Sequence, residues 1–240
     1  MKIVAVIPAR LASTRLPGKV LLPIAGVPML GWVYRAALAC PQLDQVLIAT
    51  DSTAIVAYAD SQGWPSLMTS ADLLSGTDRV HAVSDLVDAD IYVNIQGDEP
   101  LLRPEHIDAL LRPFALAAAE VTTLSTPCAP AEIDNPNAVK VVTAKDGRAL
   151  YFSRATIPFS RGIPVAPQKH LGLYAYRKEA LRRFAALPPS PLELSERLEQ
   201  LRLLENGINI YVETTEFDTI GVDTEQDLIA AEKILLGRVK

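Results

Sequence analysis

Three cationic side chains lie within ten residues near the start of the chain, directly after a short apolar stretch. The cations and the small residues between them are Arg10, Ser13, Thr14, Arg15, Gly18 and Lys19. Guanidinium and ammonium groups neutralise an anion, and small residues let backbone N–H groups approach it closely. The stretch has neither a P-loop pattern nor a Gly-x-Gly-x-x-Gly pattern. It therefore indicates a polyphosphate-binding loop, with a solvated basic turn as the structural alternative.

Two carboxylates follow apolar stretches and have the chemistry of metal ligands. Asp98 lies in Gln96-Gly-Asp-Glu-Pro100, and Asp223 lies in Gly221-Val-Asp-Thr224. Mg²⁺ is commonly held by one or two carboxylates together with substrate phosphates. Asp98 alone reads more simply as the start of a turn, but a second carboxylate favours a metal site. For Asp223, metal binding and capping of the following helix both stay open.

Two further groups of side chains suit an organic ligand. Ser75-Gly-Thr-Asp-Arg79 opens a predicted helix, where free N–H groups, hydroxyls and a guanidinium suit a nucleotide. The same residues also fit an ordinary helix N-terminus with an acidic first turn. Later in the chain, Arg154, Arg161, His170 and Tyr174 suit a hydroxylated carboxylic acid, although a single histidine is more often structural.

Alternating strands and helices would position the first groups. The predicted strands cover 3–7, 45–50 and 90–96, and the predicted helices cover 28–40, 53–62, 76–87 and 104–119. This alternation predicts an α/β fold with a mainly parallel sheet and helices on both faces. Ligands of such sheets bind at the carboxyl ends of the strands, where the motifs lie.

The pattern changes in the second half of the chain. Strands are predicted at 121–126, 138–143, 149–152 and 171–176 without long helices between them, followed by a helix at 192–204, a strand at 208–213 and a helix at 224–235 capped by Thr224. This indicates a mixed or antiparallel insert. We predict one domain over 1–240 with an insert subdomain at about 121–205.

Composition narrows the class of protein. The net charge of −5 argues against non-specific nucleic-acid binding. Cys40 and Cys128 lack metal-ligand spacing and suit a reducing compartment. The first apolar run stops at Pro8, too short for a signal peptide, and no run of 18 apolar residues predicts a membrane helix. The expectation is a cytoplasmic protein without nucleic-acid or membrane partners. His81 and His106, on predicted helices, are expected at the surface without a role.

Eight motifs, in order from end to end, closely resemble the 3-deoxy-manno-octulosonate cytidylyltransferase (CMP-Kdo synthetase) family. They are Ile7-Pro-Ala-Arg-x-Ala-Ser-Thr-Arg-Leu-Pro-Gly-Lys19, Ser75-Gly-Thr-x-Arg79, Val93-Asn-Ile-Gln-Gly-Asp-Glu-Pro100, Asn135-Pro-Asn-Ala-Val-Lys140, Tyr151-Phe-Ser-Arg-Ala-Thr-Ile-Pro158, His170-Leu-Gly172, Leu198-Glu-Gln-Leu-Arg202 and Gly221-Val-Asp-Thr224. Each motif alone is weak, and their combination is specific.

The resemblance implies a Rossmann-like nucleotidyltransferase sheet and a defined reaction. CTP and 3-deoxy-D-manno-octulosonate (Kdo) give CMP-Kdo and pyrophosphate, for lipopolysaccharide biosynthesis. The resemblance also implies Mg²⁺ as the cofactor and a homodimer formed through the insert.

The resemblance also assigns roles to individual residues. Arg10, Lys19, Asp98 and Asp223 would be catalytic, with Asp98 and Asp223 as the metal ligands. The nucleotide would be bound by Arg10, Ser13, Thr14, Arg15, Lys19, Thr50, Asp51, Ser75, Gly76, Thr77 and Arg79. The sugar acid would be bound by Gln96, Arg154, Arg161, His170, Tyr174, Glu199 and Gln200, with Arg161 and His170 nearest its carboxylate.

Three alternatives are weighed against this function. The loop between Phe159 and His170 is shorter than expected, and Leu194 stands where some members carry a histidine. These departures leave open the same chemistry on 8-amino-Kdo or a sialic acid. A metal-dependent glycosyltransferase would normally carry Asp-x-Asp, which Asp98-Glu-Pro100 lacks. A non-catalytic nucleotide sensor would not need both carboxylates and a second basic pocket.

Overall fold

The computed structural model describes residues 1–13, 15–116 and 118–238. The chain forms two compact units, one from Met1–Asp108 with Thr219–Lys240 and one from Ala109–Asp218. The second unit contains the range predicted as an insert, whose roles in binding and dimerisation stay predictions. In the described part of the chain, no helix has both the length and the apolar character needed to cross a membrane.

The first unit alternates strands and helices. Its elements are β1 (Ile3–Ala9), β2 (Pro23–Ile24), β3 (Val27–Pro28), α1 (Met29–Leu38), β4 (Gln45–Thr50), α2 (Thr53–Ser61), β5 (Ser66–Met68), α3 (Gly76–Ser84), β6 (Ile91–Asn94), α4 (Pro104–Leu111), which runs past the boundary of this unit, and α8 (Glu225–Arg238). Strands β2 and β3 form a small antiparallel hairpin.

The sheet of the first unit is parallel. Strand β1 pairs with β4 on one side and β6 on the other, and β4 pairs with β5. All seven residues of β1 are buried, as a continuous apolar run in a parallel strand requires. The loops after β1 and β6 carry the predicted cations and Asp98. The parallel register therefore brings both loops to the same edge of the sheet.

The returning C-terminal segment is fastened to this edge by an apolar cluster. Val222 is fully buried in a cluster with Leu101, Ala231 and Leu235. The backbone N–H of Val222 donates to the carbonyl of Asp98 at 2.9 Å. This packing brings Asp223 next to Asp98, although they are far apart in the sequence.

The second unit is built around a mixed sheet. Its elements are β7 (Val121–Pro127), β8 (Lys140–Thr143), β9 (Ala149–Ser153), β10 (Gln168–Arg177), α5 (Lys178–Ala186), α6 (Pro191–Glu196), α7 (Gln200–Glu205) and β11 (Ile210–Thr214). Strand β7 pairs in parallel with β11 and antiparallel with β10, and β8 pairs antiparallel with both β10 and β9. The predicted α/β class, with a mainly parallel sheet and a mixed insert, is confirmed.

Several expected elements differ in extent. The helix predicted at 104–119 ends at Leu111 and continues as the 3₁₀ turn Arg112–Ala115, where Pro113 supplies no N–H for a longer helix. The helix predicted at 192–204 is two helices, α6 and α7, separated at Arg197, whose φ is 54°. Strand β5 and helix α5 were not predicted.

The surface position expected for His106 is wrong. Its side chain is fully buried, and its Nδ1 accepts a hydrogen bond from the backbone N–H of Arg103 at 3.1 Å. This contact stabilises the first turn of α4, where backbone N–H groups have no partner within the helix.

Candidate active site

A cavity of about 610 Å³ lies in the first unit, beside the ends of β1 and β6 and the start of α3. It is lined by Pro8, Ala9, Arg10, Ala12, Ser13, Arg15, Lys19, Val20, Leu73, Ser75, Gly76, Arg79, Gln96, Gly97, Asp98 and Asp223. We call this the nucleotide cavity. It brings together predicted residues from four separate motifs. Thr50, Asp51 and Thr77 are not among its lining residues, and Thr14 lies outside the described residues.

Hydrogen bonds hold the described residues of the loop after β1 beside the cavity. The N–H of Gly18 donates to the carbonyl of Leu11 at 3.0 Å, and the N–H of Leu16 donates to Ser13 Oγ at 3.4 Å. Gly18 has a φ of 68°, in the left-handed region that favours glycine. Lys19 follows at once and begins the 3₁₀ turn Lys19–Leu21. The turn therefore fixes the direction in which Lys19 leaves the backbone.

Two glycines are closely packed at the cavity, and the contact of Gly97 with a backbone oxygen requires a glycine there. A Cβ on Gly97 would lie 2.9 Å from the carbonyl oxygen of Pro8, because the N–H of Gly97 donates to that oxygen at 3.1 Å. A Cβ on Gly76 would lie 2.9 Å from Nε2 of Gln96. Gln96, predicted for the sugar acid, thus lies in the first unit with the residues predicted for the nucleotide.

Lys19 is a buried cation of the nucleotide cavity, with 8% of its surface exposed. Its Nζ donates to Asp98 Oδ2 at 2.6 Å, to Asp223 Oδ1 at 2.7 Å and to the carbonyl of Val222 at 2.8 Å. Burial lowers the pKa of Lys19, but the charges and hydrogen bonds of Asp98 and Asp223 outweigh it and leave the pKa raised. Lys19 is therefore charged, and its three N–H donors all have protein acceptors.

The carboxylate of Asp223 does not act as the helix cap. Its Oδ2 pairs with Arg15 Nη2 at 2.7 Å, and its other oxygen pairs with Lys19. Helix α8 is capped instead by Thr224, whose Oγ1 accepts from the N–H of Asp227 at 3.2 Å. The side chain of Asp223 is therefore not the cap of α8, and metal binding is the interpretation that stays open.

Asp98 and Asp223 form a donor set that suits Mg²⁺. Both offer carboxylate oxygens, both line the nucleotide cavity, and both contact the same ammonium group. Hard oxygen ligands of this kind, completed by phosphate oxygens and water, match the preference of Mg²⁺. In the described ranges, no group of three or more His, Cys, Asp or Glu side chains could hold a metal. A cation here would depend on ligands from the substrate.

The guanidinium of Arg79 is held by hydrogen bonds to protein groups. It is 2% exposed, and its guanidinium donates to Asp51 Oδ2 and Thr69 Oγ1, both at 2.5 Å. The side chain of Ser75 caps α3 by accepting from the N–H of Asp78, whose carboxylate accepts from the N–H of Ser75. The side chain of Ser75 therefore acts as an ordinary helix N-cap. Ser75 and Gly76 still line the nucleotide cavity.

The two threonines predicted for the nucleotide are buried away from the lining. Thr50 is fully buried, and its Oγ1 accepts from the N–H of Ser52 at 3.1 Å. Thr77 is 5% exposed, and its Oγ1 accepts from Nδ2 of Asn94 at 3.5 Å.

Arg10 differs from the other cations of the cavity. It is exposed, and among the residues that the structure describes its guanidinium has no ion pair or hydrogen bond. Arg15, Lys19 and Arg79 are each paired with a carboxylate. Arg10 is thus the cation of the cavity whose donors are available to an anion without breaking a pair.

In the second unit, Arg154 is committed to the backbone. Its Nε donates to the carbonyl of Glu196 at 2.7 Å, and its Nη1 donates to the carbonyl of Pro136 at 2.9 Å. The carboxylate of Glu196 in turn accepts from the N–H of Arg154 at 3.0 Å. Arg161, by contrast, is exposed on the loop after β9.

His170 and Tyr174 lie together on β10. We call Thr123, Phe152, His170 and Tyr174 the His170 cluster. The ring of His170 contacts those of Phe152 and Tyr174, with centroids 5.0 and 5.5 Å apart. Burial lowers the pKa of His170 to about 3. Burial also raises the pKa of Tyr174, with smaller contributions from the charges of Tyr176 and Glu199. Both side chains are neutral near pH 7.

The hydrogen bonds of Thr123 indicate which nitrogen of His170 carries the proton. The hydroxyl of Thr123 lies 2.7 Å from the carbonyl of Leu173 and 2.9 Å from Nε2 of His170. A carbonyl only accepts, so the single hydroxyl proton goes to Leu173 and Nε2 of His170 donates to Thr123. This leaves Nδ1 of the neutral ring as an acceptor.

Gln200 has a buried donor that nothing in the described structure satisfies. It is 6% exposed at the start of α7, and its Nε2 has no hydrogen-bond partner. A buried amide without a hydrogen-bond partner costs free energy, and a bound water, ion or ligand that accepts its N–H would remove that cost. Glu199 is the N-cap residue of the same helix. The turn before it is held by the buried pair of Glu193 and Arg202, with Arg202 Nε 2.7 Å from Glu193 Oε2.

Two residues of interest were not predicted. Lys140 is fully buried, and its Nζ donates to the carbonyls of Asn135, Ala138 and Arg154. Lys140 ends the motif Asn135–Lys140, which could have pointed to it. Its role in joining three backbone carbonyls is visible only in the structure, where β8 pairs with β9. Leu73 lines the nucleotide cavity without belonging to any motif.

Comparison with known proteins gives a consistent result. Residues 4–210 match the cytidylyltransferase family model. The 3-deoxy-manno-octulosonate cytidylyltransferase of Acidobacterium capsulatum is 63% identical over 100% of this chain and 99% of its own length. That of Chloroherpeton thalassium is 48% identical over 100% of both chains.

A solved structure agrees with these matches. It is CMP:2-keto-3-deoxy-manno-octonic acid synthetase complexed with CTP, which is 42% identical with a TM-score of 0.95 and covers 99% of this chain and 100% of its own. The likeness therefore extends over the whole length in both sequence and fold. The chain belongs to the 3-deoxy-manno-octulosonate cytidylyltransferase family.

Proposed function

We propose that this chain is the enzyme that couples CTP to Kdo, giving CMP-Kdo and pyrophosphate. The observation that carries the proposal is the nucleotide cavity, in which cationic side chains and two carboxylates meet at one edge of a parallel sheet. The relatives named 3-deoxy-manno-octulosonate cytidylyltransferase match the chain over its whole length.

The reaction depends mainly on charge and positioning. The 2-hydroxyl group of the sugar acid releases its proton to solvent, and its oxygen forms a bond to the α-phosphorus. The bond from that phosphorus to pyrophosphate breaks at the same time. Negative charge grows on the leaving pyrophosphate, and fixed cations stabilise it. Arg10 is the best placed to bind phosphate, because its guanidinium has no protein partner among the described residues. Arg15 and Lys19 can contribute after exchanging carboxylate partners for phosphate oxygens.

Asp98 and Asp223 would hold Mg²⁺. Bound there with substrate oxygens, the cation would lower the charge repulsion between nucleophile and phosphate and stabilise the leaving group. The two aspartates fit this task because they supply oxygen ligands on one wall of the nucleotide cavity.

The sugar acid is assigned to residues of the second unit. A guanidinium grips a carboxylate in two places, so the exposed Arg161 is the favoured carboxylate partner. His170 suits a sugar hydroxyl better than a carboxylate, because its ring is neutral and offers Nδ1 as an acceptor. The unpartnered Nε2 of Gln200 suits a second hydroxyl. Arg154 acts by holding backbone segments in place.

The alternative substrates are not favoured. The relatives described above are named for 3-deoxy-manno-octulosonate, and Leu194, on which the alternative partly rested, is 66% exposed on α6. The finer proposals are a homodimer, a role in lipopolysaccharide biosynthesis and action in the cytoplasm. Two free cysteines, Cys40 and Cys128, support a reducing compartment. Sedimentation equilibrium tests the dimer, and a monomer at micromolar concentration would contradict it.

Pyrophosphate release tests the activity. The purified chain is incubated with CTP, MgCl₂ and one sugar acid at a time: Kdo, 8-amino-Kdo or a sialic acid. We expect release with Kdo, much slower release with the others, and none without a sugar acid. Release with ATP or GTP at the rate seen with CTP, or no release with Kdo, would contradict the proposal.

A further inference from the structure

The two carboxylates assigned to Mg²⁺ already share one cation, the ammonium of Lys19. Its Nζ lies 2.6 Å from Asp98 Oδ2 and 2.7 Å from Asp223 Oδ1. The carbonyl of Val222 accepts the third N–H at 2.8 Å. The side chain of Lys19 is 10% exposed, so water screens these contacts poorly.

A divalent cation that binds the same oxygens must compete with this ammonium. Two positive charges on the same pair of carboxylates repel each other, and the repulsion is stronger where water is scarce. Lys19 cannot simply turn to solvent, because its enclosed ammonium would lose three acceptors. Phosphate oxygens in the nucleotide cavity would offer it replacements.

Arg15 provides an internal comparison. It also pairs with Asp223, at 2.7 Å, but its side chain is 62% exposed and it contacts one of the two carboxylates. An exposed pair of this kind contributes little and opens easily. The competition with a divalent cation therefore falls mainly on Lys19.

We propose that Lys19 is an internal counter-cation that keeps a bare divalent metal ion out of the Asp98–Asp223 site until nucleotide phosphates accept its ammonium. The inference rests on the proposed function, because that function assigns the two aspartates to the metal. It adds an order to the binding steps: the metal ion enters with or after the nucleotide.

The test measures Mn²⁺ binding to the full chain without nucleotide, by the electron paramagnetic resonance signal of free Mn²⁺. Wild type is compared with Lys19→Met, which keeps an apolar stem and removes the ammonium. We expect Lys19→Met to bind Mn²⁺ about tenfold more tightly or better. Arg15→Met is the matched control, with a gain below about threefold. Adding Asp98→Asn to Lys19→Met should abolish the gain, which locates it.

Equal Mn²⁺ affinities of wild type and Lys19→Met overturn the inference, as does a gain that survives Asp98→Asn. Far-UV circular dichroism checks the fold of each variant. If Lys19→Met does not fold, Lys19→Gln takes its place, because the glutamine amide can still donate to the carbonyl of Val222. The pyrophosphate assay separates the two proposals. If Lys19→Met gains Mn²⁺ affinity but wild type releases no pyrophosphate from CTP and Kdo, the proposed function alone is rejected. If wild type releases pyrophosphate but Lys19→Met gains no Mn²⁺ affinity, this inference alone is rejected.

Discussion

Asp51 and Arg79 form an enclosed ion pair in the first unit, with Asp51 Oδ2 2.5 Å from Arg79 Nη2. Their side chains are 19% and 3% exposed. The pair joins the end of β4 to helix α3, one turn after Ser75 and Gly76 at the nucleotide cavity. Arg79 also donates to Thr69 Oγ1 and to the carbonyl of Ser70. The arginine of the Ser75–Arg79 motif thus lines the cavity and also holds the start of α3 in place.

Asp51→Asn should reduce the free energy of unfolding by about 2–3 kcal/mol. The loss arises because the enclosed guanidinium keeps its charge and loses its counter-charge, while Thr69 and Ser70 still accept. Urea unfolding followed by circular dichroism measures it. Arg182→Ala, which removes the exposed ion pair of Arg182 with Glu179, is the control and should leave the urea midpoint unchanged. Equal midpoints for Asp51→Asn and wild type would refute a stabilising role.

Asp98→Asn and Asp223→Asn should each lower kcat/KM by about 100-fold or more. Each removes an anionic oxygen from the proposed metal ligands, and their partial exposure lets the variants fold. Initial rates of pyrophosphate release at saturating Mg²⁺ measure the effect. Asp60→Asn, on α2 and outside the lining of the nucleotide cavity, should turn over at the wild-type rate. Near-normal activity of either active-site variant would remove that residue from the metal site.

Arg10→Ala should weaken CTP binding by about 1.5–3 kcal/mol, the contribution of a charge-assisted hydrogen bond. No internal pair is broken by this change, so the fold should be unaffected. Calorimetric titration with CTP gives the affinity. Arg35→Ala, an exposed arginine on α1 outside the cavity lining, serves as the control. If Arg10→Ala binds CTP as wild type does, the loop contacts phosphate through other residues.

Arg161→Ala should raise the KM for Kdo by about tenfold or more and leave CTP affinity nearly unchanged. Alanine cannot replace the two parallel hydrogen bonds of a guanidinium to a carboxylate. Steady-state kinetics with each substrate varied in turn separates the two effects. Arg112→Ala removes another exposed arginine of the second unit and should change neither KM. An unchanged KM for Kdo in Arg161→Ala would reject the carboxylate assignment.

Stability should fall in mild acid because of His170. Its pKa is 6.5 in the unfolded chain and about 3 in the folded chain. Between these values the unfolded chain binds more protons, so the free energy of unfolding decreases as the pH falls below about 6.5. From pH 7 to pH 5 the contribution of this residue is about 1–2 kcal/mol. Urea unfolding at both pH values should show a smaller decrease for His170→Gln than for wild type. Equal decreases would place His170 in contact with water, and His81→Gln is the control.

Local sequence determined the parts of the fold whose signals lie within a few residues. The apolar run of β1 specifies a strand buried on both faces, and Ser75 with Asp78 specifies the start of α3. The order of the motifs along the chain likewise indicated the family, and the position of Asp98 after an apolar run placed it in the loop that follows β6. These features are encoded by neighbouring residues, so no knowledge of distant contacts was needed.

Long-range packing decided how the side chains of the site are used. Lys19, Asp98 and Asp223 meet because Val222 is buried in an apolar cluster within the first unit and its N–H donates to the carbonyl of Asp98. Whether Arg79 and Arg154 face solvent or are held by protein groups also depended on residues distant in sequence, Asp51 for the first and Glu196 for the second. The sequence by itself determined which chemical groups this protein carries and its family. Only the tertiary structure decided which cations are already paired, because pairing depends on burial and distances between segments far apart along the chain.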